Sequence, residues 1–179
     1  MNAPPDNRLS LKAATSDAHA SAEAVWFDAG AFSSPDRYRL WLGQMLAVHS
    51  DMGLRAAGTV MSGAYLAPEE ARCAALARDL GTSPPPAPDQ PASESWSWGV
   101  LYALNGSALG ASVIHRTISR ENSWPLEYLT VMRDFATTGG VKQFFDRLNA
   151  VDLSENEARR GADAVFARLG EYHAPTGSD

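Results

Sequence analysis

Apolar residues recur along this chain at spacings of three and four, which is the period of a helix with one buried face. Leu11, Thr15, Ala18, Ala22 and Trp26 form the first such stripe. "SSPD" announces a second helix, because Ser34 can cap it and Pro35 suits the first turn. Its stripe is Tyr38, Trp41, Leu42, Met45, Val48 and Met52. A third helix is expected from about Pro68 to Leu80, stopped by Gly81. A fourth starts near Ser93. "SWPLEYLTVMRDF" reads as a fifth, opened by Ser123 and Pro125, and "VKQFFDRLNA" as a sixth. The last begins with a capping box, Ser154 and Glu157, and presents Ala158, Ala162, Val165, Phe166, Leu169 and Tyr172. No segment alternates as a half-buried strand does. The pattern predicts an all-α fold.

One stretch breaks the periodicity. "GTSPPPAPDQPASES", Gly81 to Ser95, holds five prolines and reads as a surface loop within a single domain spanning 1–179. The three helices before it would each lack a partner if it divided two domains. Residues 1–7 and 174–179 are expected to fray. At 179 residues and 45% hydrophobic, the chain can build a full core. A net charge of −6 argues against a general nucleic-acid binder. The lone Cys73 excludes an internal disulfide and suits a reducing compartment. With no apolar leader and no run of 18 apolar residues, a cytoplasmic protein without membrane contact is expected.

The fourth helix carries the first chemical signal. In "GVLYALNGSALGASVI", Gly99, Ala103, Gly106 and Gly110 fall on one face, at steps of four, three and four. Each glycine weakens a helix interior by about 1 kcal/mol relative to alanine. Ser107, Ala108 and Ala111 widen the low surface. Such a face admits either a closely packed helix or a flat ligand lying against the backbone.

The first helix carries the second signal. His19 lies on its apolar stripe, and Glu23, one turn on, can reach one ring nitrogen. That would leave the other nitrogen neutral and directed, as a metal ligand requires. Lys12 lies two turns before His19 on nearly the same side, placed to meet an anionic group on a ligand there.

Together, "LKAATSDAHASAEA" and "YALNGSALGASVI" resemble the proximal and distal helices of heme oxygenases, closest to the bacterial branch found with bacteriophytochromes. The resemblance implies a single helical domain that holds heme b between the first helix and a kinked glycine helix. His19 matches the axial iron ligand, and Glu23 the carboxylate one turn after it. Gly106 and Gly110 match positions whose backbone faces the distal side, and Lys12 a basic residue near the propionates. Arg159, Arg160 and Arg168 on the last helix are further propionate candidates. The implied activity is oxidative opening of heme to biliverdin, with release of CO and iron. It would use O₂ and an external electron donor such as ferredoxin, and a bacteriophytochrome could receive the product.

Two positions depart from the animal pattern. Ser107 stands where an aspartate organises distal water, and Ala111 where a second glycine is usual. Ser107 is therefore a catalytic candidate, with Asn105 and His115 as further ones. The departures keep alive a heme carrier or sensor on the same fold. A helical interaction module without heme is the third reading. His49 reads as buried and hydrogen-bonded, His173 as near a frayed end, and Cys73 as a small core residue. Tyr128, Trp124, Phe144 and Phe145 read as core, one or two of them walling the heme.

Overall fold

A computed structural model describes residues 6–86, 88, 92–119 and 124–172. Every regular element among them is helical. Helix α1 spans Asn7–Asp28 and α2 spans Pro35–Val48. The chain then passes through a π-helical turn, His49–Gly53, into a short α3, Leu54–Thr59, and a 3₁₀ turn, Val60–Gly63. Next come α4, Leu66–Leu80, and the long α5, Glu94–Ile118. Three helices close the fold: α6, Glu127–Thr137; α7, Gly140–Leu148; and α8, Glu155–Gly170.

The start signals hold in two places. Ser34 Oγ accepts from the Arg37 amide at 3.3 Å, and Ser93 Oγ from the Trp96 amide at 3.2 Å. Gly81 ends α4 with φ +68°, where its amide and that of Thr82 satisfy carbonyls of the last turn.

Three expectations need correction. The capping box of α8 does not form, because Glu157 instead accepts from Ser93 Oγ at 2.8 Å and Ser154 makes no side-chain cap. Helix α6 starts at Glu127, past Pro125, and its cap comes from another helix. Both carboxylate oxygens of Asp79 accept, one from the Glu127 amide at 3.0 Å and one from the Tyr128 amide at 2.9 Å. Ser123 lies outside the described residues. Asp6 and Asn7, assigned to the fraying start, are held: Asp6 caps α1, and the Asn7 amide donates to the carbonyls of Leu148 and Val151. The proline-rich segment is non-helical and exposed over 82–86.

Helix α5 is the axis of the fold and packs most extensively on α8. Gly99 and Gly161 make that contact possible. A Cβ on Gly99 would sit 1.8 Å from the Ala158 carbonyl oxygen, and one on Gly161 would sit 2.1 Å from that of Trp96. Helix α1 lies along α8, and both α1 and α2 are tied to its end. The Trp26 indole donates to Leu169 O at 2.9 Å, and the Gln44 amide to Arg168 O at 2.8 Å. These bonds satisfy carbonyls that a helix C-terminus otherwise leaves without partners.

Candidate functional site

Helices α1 and α5 diverge enough to leave a cleft between them. Its main lobe is a cavity of about 450 Å³, within the usual range for a small-molecule site. Trp26, Trp41, Met45, Leu104, Phe166 and Leu169 give it apolar walls. A second lobe of about 300 Å³ adjoins it. His19, Ala103, Gly106, Ser107, Leu109 and Phe166 line both. Arg8 and Lys12 stand at the second lobe, so the cleft is apolar at one end and cationic at the other.

The glycine stripe divides by function. Gly99 is the close helix contact already described. Gly106 and Gly110 line the cavity, and a Cβ built on either meets no atom within 4 Å. Tight packing therefore explains the first glycine and not the other two. Ala111 also lines the main lobe and is buried. Helix α5 is continuous through Gly106 and Gly110.

His19 stands on the opposite wall with its side chain 49% exposed. The expected apolar stripe places it beside the core, and the structure puts it at the cleft's edge. The edge of its ring meets Phe166 at 5.3 Å and 88°, which orients the imidazole. Glu23 Oε1 is 3.6 Å from His19 Nε2, an ion-pair distance longer than a hydrogen bond. Ser107 Oγ donates to Leu104 O at 2.7 Å. Its proton is committed, and its lone pairs remain able to accept.

Other candidates lie elsewhere. Arg159, Arg160 and Arg168 pair with Asp163, Glu157 and Glu171 on the outer face of α8, and none lines either lobe. Arg8 was missed because it falls in the first turn, beside the residues expected to fray. Its guanidinium stacks over Phe145 at 4.5 Å, which holds it at the second lobe. Asn105 points away from the cleft and accepts from Arg72 at 2.7 Å. His115 faces α6, beside Thr130 and Arg133. His173 lies outside the described residues.

His49 is buried and hydrogen-bonded as expected, between Glu69 and the Tyr128 hydroxyl. Tyr128 walls the main lobe and Phe145 the second, whereas Phe144 is core. Burial pushes the Cys73 thiol up to about 12, which makes it a core residue and not a nucleophile. Among the described residues no three His, Cys, Asp or Glu side chains cluster as a metal site. None of the described helices is long and apolar enough to cross a membrane.

No protein-family model matches the chain, and no curated protein matches it significantly.

Proposed function

We propose that this chain binds heme in the cleft between α1 and α5 and opens it oxidatively to biliverdin. One observation carries the reading: an exposed imidazole and two bare stretches of helix backbone line the same apolar cavity. A flat macrocycle needs such a slot, and its carboxylates need the cations at one end. The residues fit the group in chemistry: a nitrogen ligand, apolar walls and cations for the carboxylates.

His19 would hold the iron through a ring nitrogen. Glu23 lies within ion-pair reach of Nε2 and, on closing to hydrogen-bond distance, would favour the proton there and leave Nδ1 its lone pair. Phe166 keeps the ring plane fixed. Arg8 and Lys12 take the anionic end and so set the ligand's direction in the slot. Bound heme would supply the iron that takes up O₂ and would itself be the substrate, yielding biliverdin, CO and iron. Opposite His19, Gly106 and Gly110 bring backbone close where side chains would block the reacting face. Ser107 offers an acceptor there for an ordered water. Trp26, Trp41, Met45 and Leu169 exclude bulk water from the remaining edge.

The Ser107–Leu104 bond favours a second reading, a heme carrier or sensor. It commits the Ser107 hydroxyl proton, so this side chain can accept from a ligand in the cleft but not donate to it. Hemin titration followed by visible absorption tests the shared part of both readings. A sharp Soret band that His19→Ala abolishes is expected. No specific band in the wild type would return the cleft to an unassigned cavity.

A further inference from the structure

Behind the main lobe runs a polar chain that the proposed function does not use. His49 Nε2 lies 2.9 Å from the Tyr128 hydroxyl, and His49 Nδ1 meets Glu69 Oε1. Glu69 Oε2 accepts from Arg72 at 2.8 Å, and Arg72 donates onward to Asn105. All five residues are buried. Charges this deep persist only when fully paired. The backbone makes room for them: a Cβ on Gly53 would lie 2.1 Å from Glu69 Oε1, and the π turn carries both Gly53 and His49. Such turns recur at functional sites. Arg72 balances the charge of Glu69, so the bonds suit a neutral His49 that donates from Nδ1 and accepts at Nε2. The Tyr128 hydroxyl is then the donor.

Tyr128 also ends an aromatic column. Its ring is 6.0 Å from Trp41, Trp41 stacks on Tyr38 at 5.7 Å, and Tyr38 stacks on Trp124 at 5.0 Å. Trp41 and Tyr128 line the cavity, and Trp124 is half-buried at the other end. Among the described residues, Tyr128 is the member of the column whose polar hydrogen meets a side-chain acceptor. The Tyr38 hydroxyl and the Trp41 indole N–H are buried with no hydrogen-bond partner among the described residues. The difference decides where an oxidising equivalent comes to rest. An oxidised phenol is a strong acid, so a phenol that cannot release its proton resists oxidation. One bonded to imidazole loses electron and proton together, at a lower potential.

We propose that Tyr128 is a redox-active tyrosine with His49 as its proton acceptor, and that Trp41, Tyr38 and Trp124 connect it to the surface. A one-electron oxidant of the peroxide-derived class, formed in the cavity, takes one electron from Tyr128. The hydroxyl proton moves to His49 Nε2. The products are a neutral phenoxyl radical and an imidazolium beside Glu69, with the oxidant reduced by one electron. An electron from a small surface reductant such as ascorbate, passed along the column, restores the phenol as His49 returns the proton. This function would protect the cavity from stray oxidation; the source of the oxidant rests on the heme reading, and the Tyr128–His49 pair does not.

The test uses the full chain without added heme. Photo-oxidation by ruthenium tris-bipyridine with a sacrificial acceptor, followed by freezing, is read by electron paramagnetic resonance. A tyrosyl signal is expected, and Tyr128→Phe should remove more than half of it. Tyr38→Phe should remove less than half. His49→Gln keeps an amide donor and an acceptor but no basic nitrogen, and should also remove more than half. Radical formation in the wild type should slow in heavy water, a readout that needs no variant. No tyrosyl signal, a signal that survives Tyr128→Phe or His49→Gln, or a formation rate indifferent to heavy water would overturn the proposal.

Discussion

Gly99 and Gly106 lie two turns apart on one face of α5 and meet opposite surroundings. A side chain on Gly99 would strike the backbone of Ala158, and one on Gly106 would meet nothing. Gly99→Ala should therefore cost about 1–3 kcal/mol by overpacking. Gly106→Ala should stabilise the apoprotein by roughly 0.5–1 kcal/mol, since alanine is the better helix former. Thermal melts of the two variants give the comparison. Gly106→Ala should also weaken hemin binding, so stability and affinity move in opposite directions.

Arg8 and Lys12 make the second lobe cationic, whereas Arg159 and Arg160 are paired on the outer face. Arg8→Ala and Lys12→Ala should each weaken hemin binding by about three- to tenfold, more at low salt than at high. Arg159→Ala should leave the affinity unchanged. Titrations at two ionic strengths check both the size and the salt dependence.

Burial pushes the Glu69 carboxyl up, but the Arg72 charge and the hydrogen bonds donated by His49 and Arg72 outweigh that and hold it below the ordinary value of about 4.5. The folded state therefore releases this proton more readily than the unfolded chain. The resulting stability is full above the ordinary value and is lost as pH falls through the lowered one. Glu69→Gln should lower stability at pH 7 by about 3 kcal/mol, because Arg72 is left buried without its counter-ion. Its Tm should then fall less than that of the wild type between pH 6 and pH 3.

Asp79 reaches from α4 to cap the first turn of α6, and that turn holds Tyr128. Asp79→Ala should cost about 1–2 kcal/mol. Because α6 starts at Tyr128's neighbour, the variant should also expose the Tyr128 amide to faster hydrogen exchange. Exchange at the far end of α6 should change less.

The helical class, the starts of α2 and α5 and the end of α4 were legible because each is fixed by nearby residues. The start of α6 was not. Its cap is 48 residues away in sequence, and Pro125 offered a plausible local substitute. Ser154 and Glu157 had the right spacing, but a tertiary partner, Ser93, took the carboxylate. The π turn was hidden because Met52 continues the stripe of α2 across it. At the site, the face shared by Gly106 and Gly110 could be read from spacing. That Gly99 belongs to a different contact could not, since only the packing of α8 separates them. His49 was readable as buried, but its link to Tyr128 joins residues 79 apart.

A single turnover tests whether the α1–α5 cleft opens heme. Hemin bound to the protein in air is given ascorbate, or ferredoxin with its reductase, and CO and biliverdin are measured together. The Soret band is expected to decay as biliverdin absorbance grows, with about one CO released per heme and no turnover in His19→Ala. A Soret band that survives both reductants with no CO released would contradict it and leave a heme-binding protein without ring-opening activity.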